Sequence, residues 1–376
     1  MVSDTSGTQH QSMMQIIIPV PWGHIAGKLW GNDQQRPILA LHGWLDNAGT
    51  WDTLAPMICD KLPILAIDLP GHGLSSYFPL GMNYDPFDYS RLILKVKNYF
   101  KWDKISILGH SLGSISGMRY SGIFPESVDF LIAFDNHVYK DYDFDFLINV
   151  LIKSYLKVES SQTLLESEPP AFTMDEIIKK LYIGSNKSIS KENVHHLVQR
   201  GVKPSSTDPN KYYFSRDIRL KDYFITPENK EFVEYIVRRH QVPSLSFRAS
   251  DTYKDLGQYC LRILEILKEN PKFENHIITG THHIHLNNPE KVAPIIIKFL
   301  KIRNCVGCLF RLPDNYCRGR QHKLFAVPAA YINVLYASGT HCGSSTLSYS
   351  AYADRSQRSP GAICLWNVMC ECILFN

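Results

Sequence analysis

Apolar and polar positions divide the chain into three stretches. In the first, short apolar runs alternate with longer amphipathic ones. Ile16 to Val20 and His24 to Trp30 read as opening strands, and Pro37 to Leu41, Pro63 to Ile67 and Ile105 to Leu108 are almost continuously apolar. An apolar run without a polar face suits a strand covered on both sides within a parallel sheet. Helix-length segments lie between these runs, at Thr50 to Asp60 and Asp88 to Phe100, and the alternation continues through Val128 to Phe134. Such alternation predicts an α/β fold, with a mostly parallel sheet flanked by helices.

The second stretch, from about 137 to 239, has a different period. Phe144 to Lys157, Met174 to Tyr182 and Glu192 to Arg200 carry helical spacing with Lys/Glu faces, and no buried strand is apparent. It reads as a helical insertion lying over one edge of the sheet as a cap. The sheet pattern resumes at Leu245 to Phe247 and at Ile277-Ile278. A last helix from Pro289 to Leu300 closes the domain, with Asn288 as its cap and Pro289 in the first helical position. The expected organisation is a flexible start over 1–15, one domain over 16–301 and a tail over 302–376.

Composition narrows the picture. Hydrophobic residues make up 44% of 376, enough for a sizeable core, and the net charge of +4 gives no basis for nucleic-acid binding. No apolar run reaches membrane-spanning length, and Met1 to Gln15 lack the basic start and apolar stretch of a secretory signal. The default location is therefore a reducing, cytoplasmic compartment. Seven of nine cysteines lie from Cys305 onward, so the main body is not a disulfide framework.

The chemistry centres on Gly109-His110-Ser111-Leu112-Gly113. This segment follows an apolar strand and precedes a plausible helix from Ser114 to Ile123. A strand, a strained turn and a helix are what a nucleophile elbow requires, and they make Ser111 the candidate nucleophile of an α/β-hydrolase fold. His42-Gly43-Trp44 follows another strand. In this fold that loop and the residue after the nucleophile supply the oxyanion hole, so Trp44 and Leu112 are the expected N–H donors. Asp68 to Gly73 reads as a structural turn, with His72 as a hydrogen-bonded loop histidine.

A serine hydroxyl needs an adjacent base, and the fold orders its triad as Ser, acid, His. Among His276, His282, His283 and His285, the choice is His282, the first histidine of the His282/His283/His285 group on the loop between the last strand and the last helix. His283 and His285 remain rivals. The acid should follow a strand. Asp251, just after Leu245 to Arg248, is preferred; Asp255 and Asp135, at the end of the strand after the elbow helix, stay open. Cys305, Cys308, Cys317 and His322 have zinc-ligand types but lack a second tight pair; His282, His283 and His285 could also suggest a metal, yet the elbow explains one of them without it. No metal or cofactor is expected.

Several segments together resemble the serine hydrolase-like proteins of animals, including the insect type called kraken. They are Val20 to Ala26, Leu41 to Ala48, Gly71 to Ser75, Ile107 to Ser111, Leu197 to Gly201 and His285 to Pro289. The resemblance covers about residues 16 to 301. It implies an α/β-hydrolase core with a helical cap and a serine nucleophile, no agreed natural substrate, and association of some members with peroxisomes or vesicles. The cysteine-rich tail departs from it. The expected activity is hydrolysis of a small-molecule ester, thioester or amide through an acyl-enzyme on Ser111. A ligand-binding protein that kept the fold and lost catalysis is the alternative. Epoxide or carbon–halogen cleavage fits less well, because its nucleophile is a carboxylate.

Overall fold

The computed structural model describes residues 13–135, 144–164, 168–221, 228–254 and 257–304. The readings of the first twelve residues, of Asp255 and of the cysteine-rich stretch from Cys305 lie outside these residues. The opening strands are β1 (Met13–Val20) and β2 (Gly23–Trp30), followed by β3 (Ile38–Leu41), short helix α1 (Ala55–Ile58), β4 (Ile64–Ile67) and α2 (Pro86–Tyr99). Asp85 starts α2 with a reciprocal capping box to Asp88, and Pro86 occupies its first turn, where no N–H is missed. Next come β5 (Ile105–His110), α3 (Leu112–Ile123) and β6 (Val128–Phe134).

Helices α4 (Phe144–Leu164), α5 (Met174–Gly184) and α6 (Val194–Gly201) then form an insertion with an antiparallel ribbon, β7 (Val202–Pro204) and β8 (Tyr212–Phe214). The chain returns through α7 (Lys230–Arg239), β9 (Ser244–Ala249), α8 (Ser250–Tyr253), α9 (Gln258–Lys268), β10 (Phe273–Ile278), α10 (Ile284–Asn287) and α11 (Pro289–Asn304).

Eight strands make the main sheet, in the order β1-β2-β4-β3-β5-β6-β9-β10. The pairs β1/β2 and β2/β4 are antiparallel, and every pair from β4 onward is parallel. The apolar runs are continuous because both faces are covered. Leu39, Leu41, Leu65 and Ile107 join a cluster with residues of α2, α3, α7 and α9, while Ile38, Ala40, Ile64 and Leu108 join residues of α1 and α11 on the other face. Each such fully buried branched side chain stabilises the fold by about 1.5–3 kcal/mol. Among the described residues, no helix is long and apolar enough to cross a membrane.

Two features refine the expected insertion. The ribbon β7/β8 adds strands that the sequence did not announce; their residues are at most half-buried, so they lack the continuous apolar run of a core strand. Helix α7, within the span assigned to the cap, packs Val233 and Val237 into the sheet's own core. It belongs to the layer that covers the sheet. The segment from Ser185 to Asp217 lies instead on the sheet's carboxyl edge. Asn47 donates to the Leu197 carbonyl at 2.8 Å, Asn287 to the Ser188 carbonyl at 2.7 Å, and Asp217 N–H to the Gly71 carbonyl at 2.8 Å. Arg200 anchors it: its guanidinium, 3% exposed, meets the fully buried Asp68 at 2.7 Å.

Candidate active site

The parallel strands all end at one edge, and the loops leaving β3, β4, β5, β6, β9 and β10 meet there. Ser111 sits between β5 and α3 with φ 49° and ψ −112°, a conformation that L side chains rarely adopt. The surroundings hold it. Its N–H donates to the Phe134 carbonyl at 2.9 Å, and its own carbonyl accepts from Ile115 at 3.0 Å. Packing leaves no room for side chains at the flanking glycines. A Cβ on Gly113 would stand 2.2 Å from the Leu41 carbonyl oxygen, and one on Gly109 would stand 2.5 Å from the Ser114 nitrogen. The helix can therefore start directly against the sheet edge. Leu112 is its first residue, so its N–H has no acceptor further back in the helix.

The loop after β3 is held by two buried histidines. Leu69 N–H donates to His42 Nε2 at 2.9 Å, so His42 Nδ1 carries the proton and donates to the Gly43 carbonyl at 2.7 Å. In the same way His72 Nε2 accepts from Leu45 N–H at 3.2 Å, and Nδ1–H donates to the Pro70 carbonyl at 3.0 Å. Burial pushes His72 down to about 3, reinforced by the neighbouring His42, so it is neutral at ordinary pH. These contacts fix the turn that carries Trp44, whose ring lies edge-on to His72 at 5.8 Å.

His282 follows β10 on the loop 279–283. Its Nδ1 lies 2.6 Å from Asp135 Oδ2. An ionised carboxylate only accepts, so the proton is on Nδ1 and the lone pair on Nε2, the tautomer a general base requires. The backbone carbonyl of His282 accepts from His110 Nε2–H at 3.1 Å, which brings the loop against the residue preceding Ser111. Asp135 follows β6 with φ 46°, and its carboxylate is fully buried. It also accepts from Ala249 N–H at 3.1 Å and from Thr252 Oγ1–H at 2.7 Å.

Asp251 does not meet the imidazole. It is exposed on α8, where its carboxylate accepts from the Ser250 hydroxyl at 3.1 Å. The geometry therefore pairs His282 with Asp135, one of the alternative acids, and leaves the preferred Asp251 apart. The loop chosen for the acid supplies supporting donors, Ala249 and Thr252, while the strand before it supplies the carboxylate. The rival histidines are deep. His285 is fully buried against Thr50 at 2.8 Å, and burial, then His110 and His283, hold it well below its ordinary range. His283 faces Asp46 at 3.2 Å, and His276 lies on β10 near Glu274.

The alpha/beta hydrolase fold family matches residues 36–166. A probable serine hydrolase of Drosophila melanogaster is 35% identical over 300 residues, covering 77% of this chain and 88% of its own length. The chain belongs to the serine hydrolase-like family.

Another relative in this family, human serine hydrolase-like protein 2, is 34% identical over 304 residues, 76% of this chain and 94% of its own. The crystal structure of a hypothetical protein of Pseudomonas aeruginosa PAO1 is similar with a TM-score of 0.66 and 28% identity, covering 77% of this chain and 99% of its own. A thioesterase domain from the curacin biosynthetic pathway shares the fold, with a TM-score of 0.62 at 19% identity over 76% of this chain and 99% of its own. Fold and relatives together point to hydrolase activity for this serine hydrolase-like chain.

The family motifs also hold residues that sequence reasoning passed over. Asp46 and His110 lie inside quoted segments yet drew no role; both are buried at the same edge, and His283 joins them. Arg216, beyond the ribbon, stacks on Phe214 at 4.3 Å. Its burial lowers the guanidinium to about 10, against the opposing charge of Asp46.

Proposed function

We propose that this protein is a serine hydrolase that cleaves a small-molecule ester, thioester or amide through an acyl-enzyme on Ser111. The observation that carries the reading is the 2.6 Å pair of His282 and Asp135 on the loops beside the strained Ser111 turn. Ser111 Oγ attacks the carbonyl carbon while His282 Nε2 takes its proton. The tetrahedral oxyanion is held by the N–H groups of Leu112 and Trp44. Collapse breaks the bond to the leaving group, which receives the proton from His282. Water, deprotonated by the same imidazole, then attacks the acyl carbon; the bond to Ser111 Oγ breaks, that oxygen takes the proton back from His282, and the acid leaves. Asp135 keeps the imidazole in its Nδ1–H tautomer and stabilises the imidazolium, a role worth about 10⁴ in turnover in a comparable triad.

The segment from Ser185 to Asp217, lying on the sheet's carboxyl edge, supports a cap that limits substrate access. Acyl length and leaving group are matters for a panel of esters, thioesters and amides. The direct test is labelling with a fluorophosphonate probe. The protein should label at Ser111, and Ser111→Ala should lose both labelling and turnover while keeping its far-ultraviolet spectrum. Undiminished labelling of a folded Ser111→Ala protein would contradict the reading.

A further inference from the structure

Behind the proposed triad lies a second cluster that the reaction does not use. Asp46, His110 and His283 are 7%, 1% and 5% exposed, and one ligand atom of each lies within 4.8 Å of the others. His283 Nε2 is 3.2 Å from Asp46 Oδ2, and His110 Nδ1 is 3.3 Å from the same oxygen.

The remote nitrogen of each imidazole is committed as a donor. His110 Nε2 faces the His282 carbonyl at 3.1 Å, and a carbonyl only accepts. His283 Nδ1 faces Ser188 Oγ at 2.8 Å, while that hydroxyl gives its own proton to the Ser185 carbonyl at 2.6 Å. The near nitrogen of each imidazole faces the carboxylate in this buried space, and the proton that His283 Nε2 and Asp46 Oδ2 share across their 3.2 Å hydrogen bond is the one a metal ion would displace. His110 Nδ1 stands 3.3 Å from the same Asp46 oxygen, close enough to share it with His283. Arg216 acts on Asp46 only through space, without a hydrogen bond or ion pair to it.

With that proton gone, three lone-pair donors face one another and suit a cation. Tetrahedral ligands at the usual zinc distances stand roughly 3.3 Å apart, the spacing between the Asp46 oxygen and each imidazole nitrogen. Two imidazoles with a carboxylate suit zinc or a neighbouring divalent transition metal, and each imidazole already has the outer hydrogen bond that ligating histidines use. Placement in the chain adds a consequence. His110 precedes Ser111, His283 follows His282, and Asp46 lies two residues beyond Trp44.

We propose that Asp46, His110 and His283 form a binding site for one divalent transition-metal ion, which ties together the loops carrying the nucleophile, the base and the oxyanion donor. The fourth coordination position is left to water. The site stands on its own geometry, whether or not Ser111 is a nucleophile.

The test uses the full-length reduced protein, freed of metal by chelation and titrated with Co²⁺ while visible absorption and binding heat are recorded. One equivalent should bind with the d–d bands of a nitrogen- and oxygen-ligated tetrahedral ion, without the near-ultraviolet sulfur band that the cysteine-rich tail would give. Zn²⁺ should bleach these bands and raise the melting temperature. His283→Gln and Asp46→Asn should each abolish the bands, and Ser188→Ala should weaken binding by about 10–100-fold through the lost outer hydrogen bond. His195→Gln, on the insertion surface, should change nothing. The proposal is overturned if no such bands form in the wild type. It is equally overturned if the only cobalt bound is sulfur-ligated, or if the bands survive His283→Gln and Asp46→Asn. Should one of those two variants fail to fold, the wild-type titration and Ser188→Ala still decide.

Discussion

His282 and His283 are neighbours in the chain, and each faces an aspartate. His282 meets Asp135 at 2.6 Å with its side chain 23% exposed, while His283 meets Asp46 at 3.2 Å with 7% exposed. The first pair sits on the rim, where one nitrogen is fixed by a carboxylate and the other is the side available to a substrate-bearing serine. The second pair is enclosed, with one imidazole nitrogen donating to Ser188 and the other facing Asp46. Residue type and loop position do not separate them. What separates them is which strand end brings the carboxylate: β6 for Asp135, and the loop after β3 for Asp46.

The sharpest way to break this contrast is to remove each histidine in turn. His282→Ala should lower turnover of a short activated ester by several orders of magnitude, as removal of a triad base does. His283→Ala should lower it far less, and its damage should appear in melting temperature. Steady-state kinetics and thermal unfolding of the two variants side by side would check this. Equal losses of turnover at equal stability would erase the distinction.

The next effect concerns how the insertion is held over the rim. Arg200 and Asp68 form a buried pair between α6 and the loop after β4. Burial raises the Asp68 carboxyl, but the charge and hydrogen bonds of Arg200 outweigh it and set the folded pKa below the ordinary value of 3.8. A depressed folded pKa gives stability that is complete well above 3.8 and is lost as pH falls through that value toward the folded one. Arg200→Met leaves the carboxylate buried and unpaired, at a cost of about 3–5 kcal/mol. Urea unfolding at neutral pH should register that loss. Repeated near pH 3, it should find a smaller difference between variant and wild type; a gap that widens in acid would contradict the assignment.

The smallest effect belongs to the tail. All proposed catalytic groups precede α11, so a chain ending at Ile302 should hydrolyse a short ester at nearly the wild-type rate. A large loss in a soluble, folded truncation would give the tail a part in the site.

Much of this arrangement was legible in the sequence. The nearly continuous apolar runs at Pro37 to Leu41, Pro63 to Ile67 and Ile105 to Leu108 report strands buried on both faces, and Gly109 and Gly113 report the close approach that the turn at Ser111 needs. The aspartate that meets His282 was not legible, because Asp135 and Asp251 both follow parallel strands at the same edge. Only the backbone decides between them: φ of 46° turns the Asp135 carboxylate inward, whereas α8 carries Asp251 out to solvent. The ribbon β7/β8 escaped notice because half-exposed strands of three residues leave no periodic trace. Asp46 and His110 escaped because their clustering depends on His283, far away in sequence.

The assignment of Asp135 is the most direct point at which to test the catalytic account, and it needs no knowledge of the natural substrate. The measurement is the second-order rate of fluorophosphonate labelling for wild type, Asp135→Asn and Asp251→Asn at neutral pH. The account predicts a loss on the order of 10⁴ for Asp135→Asn, from the wrong imidazole tautomer, and a rate within about twofold of wild type for Asp251→Asn. A folded Asp135→Asn protein labelling at the wild-type rate, with Asp251→Asn disabled, would contradict it.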